Sequence, residues 1–259
     1  MLSTLPRKLK TLYPGLKVFT YPRGFNPVVF HGNPYVDGVQ WLPDAVYGDD
    51  CNLGTGHLIQ RKEHFFDVPI SETVQPEIYL TDKEEQWADR LFKQTPSHRA
   101  DLLPLCILHP WGKTRSSVLS DEVWQRIVRE NQEHVRFWQV GVEGQTPIPG
   151  CERHLLLPRG YAHARKLFAA ISRADLFIGV DSGPMHVARA FALPSLILTN
   201  FGVEAWTIFS ERQRVEKNSG EDFSRYFIYE ENQHYDVIGH SAEEVMTRIS
   251  TFIHDEADE

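Results

Sequence analysis

Residues 175–199 read Asp-Leu-Phe-Ile-Gly-Val-Asp-Ser-Gly-Pro-Met-His-Val-Ala-Arg-Ala-Phe-Ala-Leu-Pro-Ser-Leu-Ile-Leu-Thr, an order that few folds accommodate. The apolar run Leu176 to Val180 suits a short strand buried on both faces. Asp181-Ser182-Gly183 gives the small residues of a tight turn. Pro184 fits the first position of a helix, where its missing N–H would have no intrahelical partner. The helix predicted after it ends at Leu193-Pro194, and Ser195 to Thr199 is the next strand. Polar groups thus gather at the carboxyl end of the first strand, the edge where open α/β sheets bind ligands. Free N–H groups and the helix dipole at that point favour an anion such as phosphate.

The rest of the chain extends this unit. Strand 105–109, helix 120–131, strand 136–141, a short strand near Leu155 and helix 161–173 precede it, and helix 241–254 closes the chain. Strands alternating with helices specify a parallel, doubly wound sheet. The first third has a sparser version: a helix from the start to Tyr13, strand 16–21, a short helix at 25–31, strand 38–42 and helix 56–66. Next come a short strand at Glu77 to Leu80 and a charged surface helix at 83–92. Residues 93–104 are polar and carry two prolines, as a linker would. The fold class is therefore α/β in two domains, 1–96 and 97–259.

Bulk properties exclude several functions. The net charge of −8 argues against a nucleic-acid binder. No apolar stretch is long enough to span a bilayer, and no signal-peptide pattern opens the chain. Cys51, Cys106 and Cys151 lie far apart with no metal spacing, which fits a reducing cytoplasm. No His/Asp/Glu cluster has metal-ligand spacing, so no metal or other cofactor is expected. Before Asp37 the only charged side chains are Arg7, Lys8, Lys10, Lys17 and Arg23. They form either a solvated face or a surface for an acidic acceptor or a membrane.

Two loops carry candidate chemistry. Asp181, Ser182, Gly183 and His186 surround the predicted helix start. The dipole there keeps an imidazole neutral, with an N–H to offer a bound phosphate. Asp181 and His186 also have plainer readings, as a helix cap and a packing residue. In the second loop, His109-Pro-Trp-Gly-Lys-Thr-Arg-Ser-Ser117, the side chains of Lys113, Thr114 and Arg115 suit a diphosphate. Taken alone, it reads equally well as a surface loop.

With these residues in view, the sequence resembles glycosyltransferase family 9, the ADP-heptose:lipopolysaccharide heptosyltransferases and their relatives. The specific part is Val180-Asp-Ser-Gly-Pro-Met-His-Val-Ala-Arg-Ala190 with Ala192 to Gly202. His109-Pro-Trp-Gly112 with Asp121 to Trp124, and segments 9–15, 33–37 and 56–61, support it. The resemblance implies a GT-B-type fold of two Rossmann-like domains. The N-terminal one (1–96) is reduced and faces the acceptor, and the C-terminal one (97–259) binds the nucleotide-sugar. Ser182, Gly183, His186, Lys113, Thr114 and Arg115 would receive the donor diphosphate. Asp181 and Glu204 would contact the donor sugar.

The activity implied is metal-independent, inverting transfer of a sugar, a heptose, from an ADP-sugar to an acceptor hydroxyl on a glycan such as lipopolysaccharide core. It would take place in the cytoplasm or at the inner face of the membrane, by a monomer or a homo-oligomer. Family members begin with a strand and a glycine-rich turn whose aspartate resembles a general base. Met1 to Pro6 match the family only from just past that aspartate, so the usual base is expected to be missing. Asp37, Asp49, Asp50 and His57 are the candidates to replace it. The family's lysine before a Trp-Pro pair falls near Ser117, with Lys113 or Arg115 as its substitute. The alternative is a nucleotide-sugar-binding protein of the same fold with impaired catalysis; an epimerase lacks the carboxylates it would need.

Overall fold

The computed structural model describes residues 4–20, 26–40, 58–72, 74–94, 103–112, 119–199, 232–237 and 239–257. The chain divides into two compact units, Met1–Leu80 with Phe201–Glu230 and Thr81–Asn200 with Glu231–Glu259. Each has a parallel sheet, in keeping with two Rossmann-like domains of which the first is the smaller.

In the first unit, α1 (Leu5–Leu12), β1 (Phe19–Thr20), α2 (Asn26–Phe30), β2 (Gly38–Val39) and α3 (Leu58–Phe65) come in order. β1 and β2 pair in parallel, Phe19 opposite Gly38. Polar contacts hold much of this small unit together. Glu63 of α3 is fully buried, and Lys8 of α1 lies 2.6 Å from its Oε1. The Ser71 N–H donates to Glu63 Oε2 at 2.7 Å and the Ser71 hydroxyl to Oε1 at 2.8 Å. A buried carboxylate with this many partners offsets its desolvation. Glu77 to Leu80, expected as a strand, forms none. Among the described residues no ladder receives it, and the Arg7 Nε anchors the segment by donating to Glu77 Oε1 at 2.6 Å.

The second unit begins with α4 (Asp82–Lys93) and continues β3 (Leu105–His109), α5 (Asp121–Asn131), β4 (Arg136–Val142), β5 (Arg153–Leu157), α6 (Tyr161–Ile171), β6 (Leu176–Val180), α7 (Gly183–Ala190), β7 (Ser195–Thr199), β8 (Gln233–Asp236) and α8 (Ala242–Ala257). All six strands are parallel, in the spatial order β5-β4-β3-β6-β7-β8. Every residue of β3, β6 and β7 is buried. That is why those strands read as unbroken apolar runs. Alternate residues Cys106, Leu108, Leu176, Ile178, Leu196 and Leu198 pack with α5 and α8 in one core cluster. On the other face Trp138 of β4 meets Phe92 of α4, ring centres 5.7 Å apart.

Three features depart from the sequence expectations. The units divide at Leu80/Thr81, whereas composition placed the boundary at 96/97, within residues outside those described. Helix α4 belongs with the second unit because it packs on α6, where Glu84 pairs with the buried Arg165. For the same reason α4 is less of a surface helix than its charge suggested, and Ala88 and Leu91 are buried. Strand β8 was not foreseen, since Gln-His-Tyr-Asp is polar and borders the sheet on one side only.

Candidate functional site

The strand order fixes where a ligand can bind. The order of strand addition reverses between the parallel strands β3 and β6: β4 and β5 add outward from β3 on one side, β7 and β8 outward from β6 on the other. Loops leaving the carboxyl ends of the two central strands turn opposite ways and open a crevice between them. Those strands lead into the two loops singled out in the sequence.

On the β6 side, Val180 is buried, Asp181 and Gly183 are exposed, and Ser182 and His186 are half-buried. Ser182 is the N-cap residue of α7, in extended conformation, but its side chain does not cap the helix. Its hydroxyl instead donates back to Val180 O at 3.0 Å. Ser182, not Asp181, thus holds the N-cap position. Among the described residues nothing lies within 4 Å of the place a Gly183 Cβ would occupy, so none of them crowds the first turn of α7. Pro184 sits in that turn and His186 three residues beyond the helix start, while Met185, Val187 and Ala188 are buried.

On the β3 side, His109 pairs with Gly179 in the ladder. A Cβ on Gly179 would come within 2.9 Å of the Phe177 ring and 3.0 Å of His109 O, so glycine lets the two central strands lie this close. Two residues past Pro110, a Cβ on Gly112 would stand 3.6 Å from Asp181 O and 3.7 Å from Val180 Cγ2. The loop after β3 thus runs against the turn after β6. His109 is buried, and its ring lies 3.0 Å from Val140 O through Nδ1. A carbonyl only accepts, so Nδ1 carries the proton. Burial pushes the His109 pKa down against backbone hydrogen bonds at Val140 and Trp111, favouring a neutral ring.

The structure thus brings Asp181, Ser182, Gly183 and His186 to one edge with the start of the 109–117 loop. Lys113, Thr114, Arg115 and Glu204 lie outside the described residues, as do the base candidates Asp49, Asp50 and His57. Asp37 is described, and its surroundings suit a structural role better than a base. It lies 2.8 Å from Lys10 Nζ and 3.4 Å from Lys17 Nζ, and it accepts from the Val18 N–H at 2.7 Å. The Lys10 and Val18 hydrogen bonds hold its carboxyl at about 2. Nor do the basic residues of α1 form an open cationic face: Arg7, Lys8 and Lys10 pair with Glu77, Glu63 and Asp37.

Glu143 escaped the sequence reading. It comes directly after β4, is exposed, and is anchored by its N–H donating to Leu157 O at 3.0 Å. Only the strand order puts it on the ligand edge. Among the described residues no group of three or more His, Cys, Asp or Glu is arranged to hold a metal ion. Nor is any described helix long and apolar enough to cross a membrane.

Residues 125–204, from within α5 to just past β7, match the model of glycosyltransferase family 9 (heptosyltransferase). The E. coli ADP-heptose LPS heptosyltransferase II is similar in structure, with a TM-score of 0.64 over 98% of this chain and 94% of that one at 11% identity. A glycosyltransferase family 9 protein of Veillonella parvula is similar too, with a TM-score of 0.59 over 98% and 93% at 12% identity. At such identity these two speak for the fold. No curated protein matches at the level of sequence. The span matched, 125–204, includes the Asp181-to-His186 stretch, and in this stretch and in its fold the chain is similar to the heptosyltransferases of glycosyltransferase family 9.

Proposed function

We propose that the chain is a metal-independent inverting glycosyltransferase that moves a heptose from an ADP-sugar to a hydroxyl of a glycan such as lipopolysaccharide core. The observation that carries this reading is the juxtaposition, at the carboxyl ends of β3 and β6, of the Asp181-Ser182-Gly183 turn and the first turn of α7 with the His109–Gly112 loop. A departing nucleoside diphosphate gathers negative charge. The N–H groups and dipole of a helix start stabilise that charge in place, without reorganisation. In this reading Ser182, Gly183 and His186 hold the diphosphate, joined from the facing loop by Lys113, Thr114 and Arg115. Asp181 and Glu204 contact the donor sugar. Glu143, at the end of the strand beside β3, is placed to accept from ribose hydroxyls. Attack by the acceptor opposite the leaving group inverts the anomeric centre. The free thiols of Cys106 and Cys151 agree with a reaction in the cytoplasm, at the inner face of the membrane when the acceptor is a lipid-linked glycan.

One observation favours a second reading, binding without turnover. Asp37, of the base candidates the one among the described residues, is taken up by Lys10, Lys17 and Val18. Calorimetry with ADP, ADP-heptose and UDP-sugars, with a transfer assay after it, separates the two. Binding of ADP-heptose with transfer supports the enzyme, and binding without transfer at high protein concentration supports the alternative. In the same assay His186→Ala weakens ADP about tenfold, the loss of roughly one charge-assisted hydrogen bond. Asp181→Ala weakens ADP-heptose more than ADP. Equal affinities in the native chain and His186→Ala would remove the diphosphate from the α7 start.

A further inference from the structure

The β3–β4 ladder is interrupted where the chain leaves the sheet, and a side chain repairs it. Arg136 N–H donates to Pro104 O at 2.9 Å. The register then steps two residues at a time, Leu105 opposite Arg136 and Ile107 opposite Trp138. Continued by one rung, this pattern requires the N–H of residue 110 to donate to Val140 O. Residue 110 is proline and has no N–H. Val140 O is nevertheless hydrogen-bonded, because the preceding side chain turns onto it: His109 Nδ1–H donates at 3.0 Å.

Proline at this point has a consequence for the site. It ends the ladder one residue beyond the strand and fixes the backbone that leads into Trp111 and Gly112. Trp111 then packs on the core cluster, and Gly112 passes against Asp181 O. His109 is held on both sides, by Gly179 of β6 through the backbone and by Val140 of β4 through the ring. The imidazole is thus the last fixed point before the loop.

We propose that His109 is a positioning residue for the donor site: its Nδ1–H stands in for the backbone donor that Pro110 lacks, and so sets the path of Trp111 and Gly112 along the Asp181 turn. The inference rests on the nucleotide reading of that crevice. His109 touches no substrate and transfers no proton; it acts through the backbone beyond it.

Three variants test this, with ADP as the probe. His109→Phe fills the space but leaves Val140 O without a donor. Its ADP dissociation constant is expected to rise about tenfold, the effect of one unmet buried hydrogen bond passed on to the loop. Adding Pro110→Ala to His109→Phe returns a backbone N–H at residue 110, and most of the lost affinity should return with it, a coupling that a purely packing role for the ring would not produce. His109→Asn, which keeps a donor near the position of Nδ1, should bind ADP within about threefold of the native chain. Should His109→Phe not fold, His109→Asn decides alone: near-native affinity supports the inference, and a tenfold loss in a folded protein overturns it. Native ADP binding with undiminished affinity in folded His109→Phe also overturns it and leaves the nucleotide reading intact. No ADP binding by the native chain sinks both.

Discussion

Arg165 on α6 grips Glu84 on α4 with two parallel hydrogen bonds, Nε to Oε1 at 2.8 Å and Nη2 to Oε2 at 2.7 Å. The guanidinium side chain is 2% exposed and the carboxylate 16%. The same carboxylate accepts the Thr81 N–H at 2.8 Å, closing the first turn of α4. One glutamate thereby caps its own helix and fixes that helix to the next.

Glu84→Gln should lower stability by about 3 kcal/mol, because it leaves a buried guanidinium without its counter-charge. Partial burial pushes the Glu84 carboxyl up, but the bonds from Arg165 and Thr81 outweigh it and hold it at about 2, against 4.5 unperturbed. A carboxyl depressed on folding contributes in full above the unfolded value, and its contribution fades as pH falls toward the folded one. The midpoints of thermal unfolding for native protein and Glu84→Gln should therefore differ most above pH 4.5 and draw together on the way to pH 2. Parallel curves across that range would show that the pair is not linked to stability in this way.

Gly183→Asp separates stability from binding. A carboxylate in the first turn of a helix is favourable by roughly 0.3–1 kcal/mol, and no described residue stands in the way of the side chain. The same charge repels a diphosphate. The thermal midpoint should hold or rise slightly while ADP affinity falls at least about tenfold, a loss of roughly 1.4 kcal/mol. A variant that binds ADP normally would place the phosphates away from α7.

Asp37→Asn distinguishes a structural carboxylate from a base. Asp37 joins Lys10, Lys17 and the Val18 N–H, so the variant should unfold at lower temperature while binding ADP as before. The native Asp37 contribution is present above pH 3.8 and is lost as pH falls toward 2. Unchanged stability with abolished transfer would return Asp37 to the role of base.

Ala192→Gly should stabilise the second unit by about 1 kcal/mol. Ala192 has φ 56°, left-handed backbone that glycine adopts without strain. It ends α7, with Leu193 N–H donating to Ala188 O at 3.1 Å. Denaturant titration reads the gain directly, and a loss of stability would mean that the alanine methyl makes contacts outweighing its strain.

The sequence by itself determined the local units of the second domain. β3, β6 and β7 are apolar throughout because both faces are buried, and a helix starts at Gly183-Pro184 because proline in the first turn gives up no intrahelical hydrogen bond. The segment from Asp181 to His186 was legible for the same reason: strand end, turn and helix start are adjacent in the chain. Long-range pairing left no such mark. β8 looks like loop because its stability comes from β7, and Glu77 to Leu80 looks like strand although no ladder among the described residues receives it. The charges of α1 look free when the chain is read in order, yet Arg7, Lys8 and Lys10 each meet a carboxylate far along the chain, at Glu77, Glu63 and Asp37. Tertiary structure alone decided that β3 and β6 are neighbours, which creates the crevice and brings Glu143 to its edge. A strand's residues say how deeply it is buried, whereas which strand lies beside it depends on hydrogen bonds that nearly any residue can make.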